Sequence, residues 1–127
     1  KWQIRTAAGV TLPFKQENIS LTGSAIECRI NATKPGTLQL CHIPGGPFVR
    51  FDGGVVPGTT VTPYYDSLVG KLIAYASTRE EAVRKIKSAL SEILFDGIET
   101  NILEQFDIVS DPRFSSGDYD LTMMEGR

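Results

Sequence analysis

Histidine, cysteine and tryptophan are scarce in this chain: one, two and one among 127 residues. A lone His42, set between Cys41 and Ile43 in a strand-like run, has no second ligand or nucleophile motif beside it. It reads as a core or edge histidine rather than a catalytic one. Cys28 and Cys41 each lie in a β-like stretch with no CxxC spacing, so no metal set is completed and two buried free thiols are expected. Long apolar runs are absent too; none approaches the roughly 20 residues that span a bilayer. Neither charge sign dominates. Thirteen basic against fifteen acidic side chains give a net charge of −2, which argues against nucleic acid or an anionic membrane as the main partner. No GxGxxG, Gly-x-Ser-x-Gly or HExxH occurs, and Gly70-Lys71 lacks the earlier glycine and the Ser/Thr of a phosphate-binding loop. Two glycosylation-type triplets, Asn18-Ile19-Ser20 and Asn31-Ala32-Thr33, mean little without a secretory signal. The opening Lys1-Trp2-Gln3 has no initiator methionine or leader pattern, and a piece of a longer protein is expected.

What is present is 41% hydrophobic content with 22% charge, ordinary for one compact domain with one core. The densest apolar stretch, Leu68–Ala76, lacks strict alternation and is expected to be a central strand covered on both faces. Lys71 is its anomaly, because a buried ammonium needs a partner or a route to water; Glu27 and Asp66 are the candidates. Ala25–Ala32 alternates cleanly, with Ile26, Cys28 and Ile30 on one face and Glu27, Arg29 and Asn31 on the other. That is a half-buried strand, and Glu27 and Arg29 are expected to form cross-strand ion pairs. After the Lys34-Pro35-Gly36 turn, Thr37–Ile43 is expected as a second strand.

Pro44-Gly45-Gly46-Pro47 then forms a tight loop that delivers Phe48–Phe51 as a third strand. Paired glycines permit close backbone approach and the prolines limit the loop's shapes. Arg50 stands between Val49 and Phe51, where its fork of donors could hold a structural carboxylate, a bicarbonate or a developing oxyanion. Several short strands at this spacing predict a mainly antiparallel sheet flanked by helices, an α+β fold. Thr62–Tyr64 is expected as an extended lead-in to the central strand.

Residues 1–9 are expected to be the end of a helix begun upstream, closed by Gly9, with 10–127 as the domain proper; Val10–Leu21 reads as a connection. The clearest helix spans Arg79–Leu94, opened by a capping box at Thr78-Arg79-Glu80-Glu81 and closed by Gly97. A second helix is expected from Thr100 or Asn101 to just before Pro112. Arg113–Arg127 is expected to hold a turn and a final helical fragment.

The strings Ala25–Ala32, Pro44-Gly45-Gly46 through Val49-Arg50, Pro63–Ser67 through Gly70–Ile73, and Asp96–Asn101 stand in one order and at one approximate spacing. Together they resemble the C-terminal domain of biotin carboxylase over nearly the whole chain. The resemblance implies a barrel-sandwich type α+β domain that completes the active site of an ATP-grasp ligase. It implies ATP-dependent activation of bicarbonate, with Mg2+, and carboxylation of biotin on a carrier protein, in the first half-reaction of acetyl-CoA carboxylase and fatty acid biosynthesis. Its implied partners are the biotin carboxyl carrier protein, a carboxyltransferase component and a second copy of itself, in the cytoplasm. The family's arginine at the position of Arg50 faces the biotin and bicarbonate site, so Arg50 is the expected catalytic residue. A guanidinium there would stabilise enolate-like oxygen as biotin's ureido group is deprotonated. The family's ATP- and metal-binding residues lie upstream, so no cofactor-binding or metal-binding residue is expected here and the chain alone is expected to have no turnover. Between Ala32 and Pro35 the chain is shorter than the family pattern. A packing or dimerisation module is the alternative, and propionyl-CoA, pyruvate or urea carboxylases share the same step.

Overall fold

The computed structural model describes residues 1–125. Gly126 and Arg127, to which the expected domain and its C-terminal fragment extend, lie outside the described residues. The expected central strand is present with the expected bounds, but it is covered on one face rather than both: β6, Leu68–Ala76, lies between β1, Ser24–Asn31, and β4, Val49–Gly53, in an antiparallel three-stranded sheet, and its Lys71, Ile73 and Tyr75 are left half-buried or exposed. Two further antiparallel pairs complete the β structure: β2 (Gly36–Thr37) with β5 (Thr60–Val61), and β3 (Leu40–His42) with β7 (Leu94–Asp96).

Period-two alternation decides which face of the main sheet is buried. Register sets Ile26 against Ala74, Cys28 against Leu72 and Ile30 against Gly70, while Val49 and Phe51 face Ala74 and Leu72 from the other side. These residues meet the apolar stripe of α2, Arg79–Glu92, whose Ala82, Val83, Ile86, Ala89 and Leu90 are buried. The core therefore lies between one sheet face and one helix, with α3 (Ile102–Ser110) adding Val109.

Expected and observed strands differ between residues 37 and 43. The segment is extended, but it changes partners in its middle: Leu38 bonds to Thr59 and Gly58, whereas Gln39 donates to the Asp96 carbonyl. Leu38, almost wholly buried, is the pivot. The same pairing shortens the expected helix. Ile93 turns extended at φ −64°, ψ 133°, so α2 ends at Glu92 and Leu94–Asp96 becomes a strand against Leu40–His42. Gly97, in the left-handed region at φ 87°, turns the chain after β7 rather than closing the helix.

The start of α2 is close to expectation. The Thr78 hydroxyl accepts from the Glu81 amide at 3.3 Å. The return arm of the capping box goes elsewhere, since Glu81 accepts from the Ser77 hydroxyl at 2.7 Å, a bond that holds its carboxyl below the usual range. Asn101 precedes α3 without capping it. Its amide instead bonds across to β1, accepting from Asn31 N at 2.9 Å and donating to Arg29 O at 3.2 Å. Pro112 does end α3, and it also opens α4, Pro112–Ser116, because a missing N–H costs nothing in a first turn. The N-terminal helix α1, Trp2–Ala7, has no buried residue. A final 3-10 turn covers Leu121–Met124.

Cys28 is buried, as expected, but Cys41, on a two-stranded pair outside the main sheet, is only half-buried. His42 is an exposed edge residue whose Nε2 lies 3.0 Å from Glu92 Oε1.

Candidate functional site: the outer face of the sheet

The outer sheet face carries the residues that the core face cannot accept. From β1 it takes Glu27 and Arg29; from β6, Lys71, Ile73 and Tyr75; from β4, Arg50 and Asp52. Glu27 and Arg50 flank Ile73 from either side, and Arg29 and Asp52 flank Lys71. Three ion pairs organise these charges: Lys71 with Glu27 at 3.6 Å, Arg29 with Asp66 at 3.8 Å, and Arg50 with Asp52 at 3.0 Å. Lys71 thus takes one of its two expected partners, and Asp66 goes to Arg29.

Arg50 points outward. Its side chain is 69% exposed and that of Asp52 49% exposed, so their attraction contributes at most about 1 kcal/mol and does not bury the cation. One Nη2 edge is engaged, and a guanidinium has five N–H donors. The remaining donors face outward from the sheet.

Strand β4 owes its placement to the bend before it. Phe48 adopts φ 61°, the one non-glycine residue with positive φ among those described, a conformation that costs a bulky residue about 1–2 kcal/mol. The bend is anchored on both sides. Tyr75 N donates to Phe48 O at 2.9 Å, and Lys85 of α2 donates to Pro47 O at 3.2 Å and Tyr75 O at 3.1 Å. The Lys85 ammonium also lies 5.1 Å from the Phe48 ring centroid, an attractive cation–π arrangement. Between the bend and α2 runs an open groove lined by Phe48, Tyr75, Ala76, Ser77, Glu81 and Lys85.

Sequence reasoning missed Asp52 and Lys85. Asp52 was accessible to it, because two residues along a strand from Arg50 is the same face. Lys85 was not, since only tertiary packing brings a helix residue to a loop 38 positions away. Cys28, on the core face behind this site, has its thiol pushed up to about 11, first by burial and then by the charge of Glu27. No group of three or more His, Cys, Asp or Glu among the described residues is arranged to hold a metal ion. No helix among them is long and apolar enough to cross a membrane.

Comparison with solved structures first gives the class: the biotin carboxylase parts of biotin-dependent carboxylases. The biotin carboxylase domain of Hydrogenobacter thermophilus 2-oxoglutarate carboxylase, solved as a dimer with MgADP, ADP and bicarbonate, superposes with a TM-score of 0.90 at 39% identity, over 95% of this chain and 28% of that one. Rhizobium etli pyruvate carboxylase superposes with a TM-score of 0.91 at 27% identity, over 98% of this chain and 14% of that one. Residues 27–126 match the model of the biotin carboxylase C-terminal domain, and the chain belongs to that family. Biotin carboxylase of Haemophilus influenzae is 46% identical over 132 residues, which take in 98% of this chain and 30% of the relative. Biotin carboxylase 1 of Bacillus subtilis is 41% identical with the same coverage. The chain thus spans about 30% of the length of these relatives. The alignment of 132 positions exceeds the 127 residues of the chain, so the relatives carry residues it lacks. The short Ala32–Pro35 connection is itself well tied, with Thr33 N donating to Glu99 O at 2.9 Å and Lys34 paired to Glu99 at 2.9 Å.

Proposed function

We propose that this chain is the C-terminal part of a biotin carboxylase and that it supplies Arg50 to the carboxylation of carrier-bound biotin. In this reading residues 1–9 end a helix begun upstream and 10–127 form the domain. Bound biotin offers the ureido nitrogen that takes up the carboxyl group, while ATP with Mg2+ activates bicarbonate elsewhere in the enzyme. Arg50 does not transfer a proton, because guanidinium stays charged at any working pH. It acts as an electrostatic stabiliser: donors held at hydrogen-bond distance from an oxygen gaining negative charge lower the barrier, by about 3–4 kcal/mol where one such donor has been removed from an oxyanion hole. The observation that carries the proposal is the outward guanidinium on an ordered strand, with only one donor edge engaged by Asp52.

The family resemblance supports acetyl-CoA carboxylase and fatty acid biosynthesis as the setting, with a biotin carboxyl carrier protein and a carboxyltransferase as partners in the cytoplasm. Pyruvate and 2-oxoglutarate carboxylases appear among the relatives, and their biotin step would place the same demand on Arg50, as would that of propionyl-CoA or urea carboxylase. The chain alone should have no turnover. Homodimerisation is supported by the dimeric H. thermophilus relative.

The test is Arg50→Ala in the full-length enzyme. Carboxylation of biotin should fall by about 100-fold or more, with nucleotide affinity within about twofold of the parent. Equal losses in both would overturn the proposal. The second reading, a packing module, is favoured by exposed Phe48 and Tyr75 with ring centroids 5.7 Å apart. It requires Arg50→Ala to be harmless and Tyr75→Asp to change the oligomeric state.

A further inference from the structure

Arg50 and Asp52 share a face of β4, and their backbone positions are fixed from the opposite face, where Val49 and Phe51 pack on the core. Cross-strand register adds a second restraint, pairing Arg50 with Ile73 and Asp52 with Lys71. Asp52 therefore has two cations within its neighbourhood: Arg50 on its own strand and Lys71 directly across. Lys71 is paired with Glu27 at 3.6 Å, on the far side of β6, while Asp52 Oδ2 lies 3.0 Å from Arg50 Nη2. The row of charges across the three strands is thus divided so that Asp52 serves Arg50.

The two side chains differ in what they can fix. An arginine reaching out from a strand has four torsions and samples many rotamers; an aspartate has two, and its carboxylate stays close to an ordered backbone. A short acid ion-paired with the guanidinium at 3.0 Å passes the order of the strand to a group that would otherwise be mobile. It leaves the remaining N–H donors free for an incoming oxygen.

We propose that Asp52 is a positioning residue for Arg50, holding the guanidinium in the orientation in which it meets the developing negative charge. This rests on the role given to Arg50 above. The competing possibility, that Asp52 merely neutralises a surface cation, predicts the opposite sign: removing its charge would strengthen Arg50 as an anion site.

The test uses the full-length enzyme with Asp52→Asn, Asp52→Glu, Arg50→Ala and the Asp52→Asn/Arg50→Ala pair, measuring biotin carboxylation, nucleotide affinity and urea midpoint. Asp52→Asn should lower kcat by about threefold to fivefold, the most that an exposed pair of this strength can bias the guanidinium's orientation, with KM for ATP within about twofold and the midpoint unmoved. Asp52→Glu should recover most of the activity. In the Arg50→Ala background Asp52→Asn should cost nothing further, because it acts through the guanidinium. Asp52→Asn as active as the parent or more so, or a loss that persists without Arg50, overturns the inference. Its failure is distinct from that of the Arg50 reading, which falls if Arg50→Ala alone leaves carboxylation intact.

Discussion

Gly70, in the middle of β6, is where the strand that carries Arg50 is locked to the centre of the sheet. Phe51 projects from β4 to the core face and lays its ring over the space that a side chain at Gly70 would fill. A methyl there would sit 2.7 and 2.9 Å from Phe51 Cε1 and Cε2 and closer still to Cζ. Ordinary carbon contacts need about 3.5 Å or more, so the ring must leave its position against Phe95, 6.1 Å away between centroids. Overpacking of this kind costs about 1–3 kcal/mol. Against it stands the intrinsic gain of replacing a strand glycine by alanine, about 0.5–1 kcal/mol, which Gly70 can realise because its φ is not in the left-handed region. The clash wins, and Gly70→Ala should destabilise by about 1–2 kcal/mol, or about 3–10 °C in Tm for a chain of this size. Urea and thermal unfolding would measure it, alone and in a Phe51→Ala background. Removing the ring should abolish the penalty and leave Gly70→Ala neutral or stabilising, a coupling of about 1 kcal/mol or more. If Gly70→Ala is neutral by itself, or equally harmful without the ring, then Phe51 is not what holds β4 on β6. The displaced ring also flanks Arg50, so the same variant in the full-length enzyme should slow carboxylation.

Asn101→Ala removes two side-chain hydrogen bonds that tie the start of α3 to the end of β1. At about 0.5–1.5 kcal/mol each it should cost about 1–3 kcal/mol in urea unfolding, with Asn101→Asp intermediate; a loss under 0.5 kcal/mol would contradict the assignment. Cys28, at 2% exposure, should resist a thiol reagent at pH 8 that labels Cys41, and should react only on unfolding. Its thiol is raised from 9.0 to about 11 in the folded chain, so the folded state favours the protonated form. That contribution to stability is complete below pH 9 and is lost as pH rises through about 11. Cys28→Ala should therefore show a smaller alkaline loss between those values, and an unchanged profile would refute the account.

The apolar run 68–76, the alternation of 25–32 and the capping residues at 78–81 each hold their information locally. Side-chain period and backbone capping act over a few residues, and the central strand, its neighbour β1 and the entry to α2 follow from them. Arg50's outward direction was latent in the same period of two. The end of α2, the partner exchange at Leu38 and the strand 94–96 were settled otherwise. There, helix-compatible residues gave up their local preference so that Leu38 and Phe95 could be buried and two short edges could pair, and such contacts join positions more than fifty residues apart. Likewise, which acid serves Lys71, and that a lysine of α2 braces the bend ahead of Arg50, depended on distances between elements that no local pattern encodes. Chain-local physics determined the elements and the face on which Arg50 stands; only tertiary packing decided its company, because charges select partners by proximity in space rather than in sequence.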